Sequence, residues 1–354
     1  MTALEGEEPD RVPIFEVIRD EPSIRKLASL LGRNVREVEM GVTSGLGEVN
    51  YDVLDLYCFL VEKLGIDATA WSFSIGLTSV ENGFAEDEFG TRYRLSEHGE
   101  PMPVDSAVDN ISDLNDLDME DSVDRADFDA LRYIVGNLGD DKAHFMIVSD
   151  PFKVSWRLRG GMQNLLGDYI KNPELVERLA EKSVRFCKEA IEESRRSGAD
   201  VIHLVGDLAS EKTTFFSPEQ YRQNVKPYEK ELVRKAHMEG LKIVKHSDGN
   251  VWPILDDFAE IGFDGFHPVQ PQCMDINEVK EHLSGEMCVI GNINCRNLLP
   301  FGSEDEVEEK VKETINKVGG EGYILSSSNS IHPDVKPENY NKMVETAKKI
   351  GKYE

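Results

Sequence analysis

Lys242-Ile243-Val244-Lys245-His246-Ser247-Asp248-Gly249-Asn250 is a short β-branched run ending in His246, then a polar turn around Gly249; a helix begins near Trp252-Pro253. The same order recurs at Gly265-Phe266-His267-Pro268, at Val289-Ile290-Gly291-Asn292-Ile293-Asn294-Cys295 and at Tyr323-Ile324-Leu325-Ser326-Ser327-Ser328-Asn329. In each, a buried strand stops at a cluster of polar, ligating side chains and a helix follows. That is the repeating unit of an α/β fold of the (β/α)8 TIM-barrel type, whose chemistry sits at the C-terminal ends of its strands. Four successive strand ends bearing His, Asp, Asn, Cys and Ser point to one site.

The alternation extends on both sides of this stretch. Strands are expected at Ile66–Trp71, His144–Ser149, Val201–Val205, Lys242–Lys245, Gly265–His267, Met287–Ile290 and Gly322–Leu325. Between and after them the apolar spacing predicts helices across 162–196, Pro218–Met238 (capped by Ser217, with Pro218 at the first position), Val251–Ile261, Ile276–Leu283, Glu304–Val318 and Pro337–Ile350. Upstream, residues 1–65 read as a helical extension, with Ser23 capping Ile24–Leu31 and a second helix at Tyr51–Leu64. Residues 86–103 read as a β-hairpin with a proline turn, and the acidic run Asp113–Asp121 as a loop. No linker divides the chain, so residues 66–354 are expected to form the barrel as one compact unit with the extension.

At 354 residues the chain exceeds the ~250 of an ordinary barrel by about 100, room for that extension. With 67 acidic against 40 basic side chains the net charge is −27, which excludes a nucleic-acid-binding surface built on phosphate contacts. No apolar run approaches the ~20 residues of a membrane span, and the acidic start, Met1 to Glu8, does not read as a leader. Five cysteines without paired spacing suit reduced thiols in a cytoplasmic enzyme.

Strand ends nominate the site. His246, last in its strand, is the leading catalytic candidate; Asp207, at the mouth of Val201–Val205, and Asp248 are candidate bases, acids or ligands. Each has a plainer reading: Asp207 as a loop cap, Asp248 as an Asx turn. His203 and His267 are candidate substrate contacts or packed core histidines. Cys295 stands alone among the cysteines at a strand mouth, where a thiolate with His246 and Asp248 would suit zinc. Asn292, Asn294 and Asn329 are candidate polar contacts, and Trp71, Phe15 and Trp156 candidate aromatic walls.

Several stretches, in order over nearly the whole chain, resemble the uroporphyrinogen decarboxylase superfamily: Asp10-Arg11-Val12-Pro13, Ser217-Pro218-Glu219-Gln220-Tyr221 with Pro227-Tyr228, His246-Ser247-Asp248-Gly249-Asn250, His267-Pro268-Val269-Gln270-Pro271, Leu298-Leu299-Pro300-Phe301-Gly302 and Pro337-Glu338-Asn339. The resemblance implies a (β/α)8 barrel and two activities, decarboxylation of a tetrapyrrole and methyl transfer with corrinoid proteins. The decarboxylases share an Arg-rich N-terminal segment that grips carboxylates. Here that stretch is Ile14-Phe15-Glu16-Val17-Ile18-Arg19-Asp20, and Glu16 stands where a cation would be wanted. The methyltransferases that act on coenzyme M hold zinc with His-x-Cys and a later Cys. This chain has His246-x-Asp248, with Ser326-Ser327-Ser328-Asn329 near the last position.

The reading that follows is a methyltransferase that demethylates a small methylated, methoxylated aromatic substrate and passes the methyl group to cobalamin on a partner corrinoid protein. Glu16 is assigned to substrate contact, zinc to His246, Asp248 and Cys295, and a homodimer is allowed. A decarboxylase of a smaller acid, or a barrel that binds without catalysis, are the alternatives.

Overall fold

A computed structural model describes residues 1–18, 20–35, 49–73, 77–96, 101–119, 126–283 and 285–353. Its strands are β1 (Ala68–Ser72), β2 (Leu77–Glu81), β3 (Phe84–Asp87), β4 (Arg92–Leu95), β5 (Pro101–Asp105), β6 (Ala143–Ser149), β7 (Val201–Val205), β8 (Lys242–His246), β9 (Gly265–His267), β10 (Cys288–Ile293) and β11 (Tyr323–Ser327). β1 and β6 to β11 pair in parallel as one sheet in the order β1-β6-β7-β8-β9-β10-β11. β2 to β5 form a separate antiparallel sheet between β1 and β6 in the chain. The expected hairpin is thus part of a four-stranded sheet. Its residues 97–100 lie outside the described residues; of the acidic run expected as a loop, Asp113–Asp116 belong to a short helix, Ile111–Asp116, capped by Asn110, and 120–121 lie outside the described residues.

The parallel sheet is barrel-like but has seven strands, not eight. Pro13–Phe15 stands between its edges: Phe15 N–H donates to Leu325 O (3.0 Å), Leu325 N–H to Pro13 O (2.9 Å), and Asp67 N–H to Ile14 O (3.0 Å). Proline has no N–H to donate, which keeps this contact to an isolated bridge, Ile14 with Leu325. Residues 13–15, assigned by sequence to the helical extension, therefore touch both ends of the sheet.

Helix boundaries follow local chemistry. Ser217 accepts from Gln220 N–H while Gln220 reaches back, a capping box with Pro218 behind it. Ser303 and Glu306 repeat the device at Glu304–Val318. The single helix expected over Pro218–Met238 is two, Pro218–Asn224 and Lys226–Met238, because Pro227 cannot continue the first. The first long helix is Glu21–Leu30, and its cap is Asp20, which accepts from Ser23 N–H; Ser23 is not the cap. Among the described residues no helix is long and apolar enough to cross a membrane.

The two-residue period of the strands sorts side chains into two layers. Phe15, Ala68, Ala70, Phe145, Ile147, Val201, Val244, Ile290 and Ile324 form an inner cluster. The alternate residues, such as Met146, Ile202, Leu204, Ile243 and Leu325, pack outward against the helices. His203 falls in step with Val201, His246 with Val244, Asn292 with Ile290, and Ser326 with Ile324. The strand pattern therefore sends these polar side chains inward.

Candidate functional site

Register sets the level of each inward residue. His246 of β8 is the lateral partner of Val205 on one side and His267 on the other. His203, partnered with Val244, lies one inward position deeper. The three imidazoles meet: ring centroids are 5.3 Å apart for His203 and His246, 4.9 Å for His203 and His267, and 5.0 Å for His246 and His267. His246 Nδ1 and His267 Nδ1 share a hydrogen bond of 2.7 Å, and His267 Nε2 faces Ser326 Oγ at 3.4 Å. Below them Phe15 makes the floor, edge-on to His203 and His267 and 4.4 Å from the Phe145 ring. Burial lowers the His203 pKa to about 3, helped by the nearby Lys245 charge, and holds His267 well below the ordinary histidine value. Both rings are neutral at physiological pH.

Above this triad lies an acidic mouth. His246 Nε2 is 3.7 Å from Asp207 Oδ1 and 3.8 Å from Asp248 Oδ1. Asp248 N–H donates to Asp207 Oδ1 (3.2 Å), which holds the two loops together. Asn329 Nδ2 donates to Asp248 Oδ2 (2.6 Å). Asp248 Oδ1 is buried without a hydrogen-bond partner. Burial first, and the Asp207 carboxylate second, push the Asp248 pKa up to about 8, against the pull of Lys153. Asp248 is thus a carboxyl that holds its proton near neutrality.

The backbone around these groups leaves no room for variation at two glycines. Gly249 has φ +85°, and a Cβ there would stand 2.5 Å from Ser210 O. Its N–H donates to Gln270 Oε1 (2.9 Å), tying the Asp248 loop to the β9 loop. A Cβ on Gly206 would fall 1.9 Å from Asp150 Oδ2. That carboxylate pairs with Lys245 Nζ (2.6 Å), which also meets Glu229 Oε1 (2.7 Å), all three side chains being fully buried. Lys245 points outward where His246 points inward, so the ion network braces the strand that carries the histidine.

His246, Asp207, Asp248, His203, His267 and Asn329 come together. Asn292 is buried on the inner face with its Oδ1 unpartnered. Other candidates stand elsewhere. Glu16 shares a face with Ile14 and Ile18, which pack in the outer layer. It accepts from Ser327 N–H (3.0 Å), Ser327 Oγ (2.8 Å) and Val17 N–H (3.1 Å), and burial raises its pKa to about 8. Asn294 Oδ1 accepts from Arg296 N–H (3.0 Å) and Asn297 N–H (2.8 Å), a turn cap. Trp71 turns to the helix layer, edge-on to Tyr57 at 5.7 Å, because Ala68 and Ala70 take the inward positions of β1. Trp156 packs in the same outer layer.

Cys295 does not complete a zinc set. Its Sγ accepts from Ser328 Oγ (3.4 Å), burial raises its pKa to about 11, and it belongs to neither group of described residues whose donor atoms converge. Asp248 and Asn329, hydrogen-bonded to each other, offer no thiolate either. The residues present do not fit a thiolate-held zinc. The groups that do converge are Asp207, His246 and Asp248, and His203, His246 and His267.

Two features escaped the sequence reading. Gln270 follows His267 closely in a quoted motif, so its place at the mouth was within reach. Lys245 is a charged residue in an otherwise apolar strand, the usual mark of a buried pair.

A family model for uroporphyrinogen decarboxylase (URO-D) matches residues 53–350. A uroporphyrinogen decarboxylase of Prochlorococcus marinus (strain MIT 9312) is 25% identical over 182 residues, 51% of this chain and 50% of that protein. One of Trichodesmium erythraeum is 27% identical over 182 residues, 51% and 49% of the two chains. The match thus spans about half the length of these curated relatives. Among solved structures, a methyltransferase from Methanosarcina mazei superposes with TM-score 0.72 at 23% identity, covering 98% of this chain and 96% of that one. A putative vitamin-B12 independent methionine synthase from Listeria monocytogenes gives TM-score 0.57 at 13% identity, covering 97% and 98%. At these identities the two structures bear on the fold alone. The family model runs across the sheet, the three histidines and the acidic mouth, and the chain belongs to the uroporphyrinogen decarboxylase family.

Proposed function

We propose that this protein is a methyltransferase that removes the methyl group of a small methoxylated aromatic compound and delivers it to cob(I)alamin on a corrinoid protein. The observation that carries the reading is Asp248: a carboxyl that keeps its proton near neutrality, fixed at Oδ2 by Asn329 and idle at Oδ1, beside His246. The co-substrate supplies the nucleophile, so the enzyme's task is to ease departure of the oxygen. As the methyl carbon is displaced in line, the C–O electron pair passes to oxygen. The proton of Asp248 moves to that oxygen and gives the free phenol. Asn329 Nδ2–H stabilises the carboxylate left behind until it takes a proton from water at the mouth. His246 lies within 4 Å of both acidic oxygens, between the other two imidazoles and the mouth. The Phe15 and Phe145 rings give an apolar floor that keeps water from the reacting carbon.

The decarboxylase alternative has the names of the curated relatives in its favour. Against it stands the make-up of the mouth. Among the described residues the mouth offers a polycarboxylate no cluster of arginines; its groups are two aspartates, an asparagine and neutral imidazoles, with Lys153 the cation that acts on Asp248. The test is incubation of a methoxylated aromatic compound with the protein and a corrinoid protein reduced to cob(I)alamin. Methylcobalamin and free phenol are expected in equal amounts, followed by the corrinoid spectrum. Absence of methyl transfer, together with release of CO2 from uroporphyrinogen or a smaller acid, would give the alternative its place.

A further inference from the structure

We infer that His203, His246 and His267 bind a first-row transition-metal ion inside the sheet, on three neutral imidazole nitrogens. One donor atom from each ring lies within 4.8 Å of the others. His203 carries the inference. It is 1% exposed, and neither Nδ1 nor Nε2 has a hydrogen-bond partner. Leaving a buried polar atom unpaired is destabilising, and His203 leaves two. The chain satisfies a buried histidine where the role is structural: His144 places Nδ1 against Thr69 Oγ1 (2.9 Å) and Nε2 against Gly139 O (3.0 Å). At His203 the natural partner for an idle lone pair is a cation.

The donor set specifies the kind of ion. Imidazole suits zinc, copper, iron and nickel, and three histidines with an open fourth position is a known catalytic arrangement. Bonds of ~2.0–2.1 Å in a tetrahedron put donors about 3.3 Å apart, so the 2.7 Å His246–His267 contact opens slightly on loading. Coordination through His246 Nδ1 leaves Nε2 as the protonated nitrogen, facing Asp207 at 3.7 Å and Asp248 at 3.8 Å. The two aspartates then stand outside the three-nitrogen set, around the ligating ring and not on the ion. The inference stands apart from the methyl-transfer reading, because it is read from bound metal.

The full chain, stripped with a chelator, is titrated with Zn2+ and with Co2+. We expect retention of one ion per chain, and zinc-edge X-ray absorption that shows three imidazoles. His203→Leu removes both idle nitrogens, so without metal it unfolds no more easily than the wild type. It should lose retention by more than the ~10–100-fold that loss of an outer partner costs. D207N/D248N should keep the ion within that smaller loss. Failure of the wild type to retain either ion, full retention by His203→Leu, or a spectrum of one imidazole with oxygen donors each overturns the assignment. If His203→Leu does not fold, the wild-type absorption spectrum decides alone.

Discussion

Asn329, just past the end of β11, places its Nδ2 2.6 Å from Asp248 Oδ2, just past the end of β8. Two loops 81 residues apart in the chain are thereby joined at the one carboxyl whose proton the proposed reaction uses. Asn329→Ala removes the donor that stabilises the carboxylate after proton transfer. A hydrogen bond to a charged group contributes ~1.5–3 kcal/mol, so kcat for methyl transfer should fall roughly 10–100-fold. Steady-state rates at saturating substrate measure it; an unchanged kcat removes Asn329 from the mechanism.

Asp248→Asn keeps the shape of the side chain and loses the acid. Methyl transfer from an ordinary aryl ether should slow by ~10²–10⁴-fold. The loss should shrink for an ether whose phenol is a strong acid, since that oxygen departs without help. Equal losses across a series of leaving groups would show that Asp248 does something other than protonate.

Glu16 makes a separate prediction about stability. Burial raises its folded pKa from 4.5 to about 8, so the neutral form is the one that fits its site. The stability this gives is fully present below 4.5 and is lost as pH rises through about 8. Against Glu16→Gln, which cannot ionise, the wild type should lose on the order of a few kcal/mol across that window. Thermal unfolding followed by circular dichroism as a function of pH reads the difference. Parallel curves for the two proteins would mean that Glu16 is not held neutral.

Lys245 sits between Asp150 and Glu229 with all three side chains buried. Lys245→Met leaves two buried carboxylates without their cation and should destabilise the fold by ~3–5 kcal/mol in urea unfolding. Combining it with Asp150→Asn and Glu229→Gln should recover much of that loss. A triple variant no better than Lys245→Met would point to packing, not charge, as the role of Lys245.

The sequence made β7 and β9 legible to the residue, because their apolar runs are short, β-branched or aromatic, and bounded by turn residues. The inward direction of His203 and His246 followed from the same two-residue period. What it could not show was which strand ends reach across the mouth. Cys295 and Asn329 are alike as strand-end polar residues, yet only Asn329 meets Asp248; the difference is loop path, which pattern does not encode. Glu16 and Phe15 are adjacent and both buried, and a run buried on both faces has no polar alternation to say which one points inward.

Pro13–Phe15 was unreadable for a related reason, being too short for a strand pattern, and its position has a consequence in time. Its partner Leu325 is 311 positions after Ile14 in the chain. During synthesis the mostly apolar stretch from Val12 to Ile18 is made long before the strand that carries its partner Leu325. Until then Ile14 has only the Asp67 side to bond to, and the side that will meet Leu325 stays open, a state that favours self-association. The acidic residues Glu5, Glu7, Glu8 and Asp10 flank the stretch on the side made first. Like charges beside an open apolar segment oppose its self-association, as gatekeeper residues do.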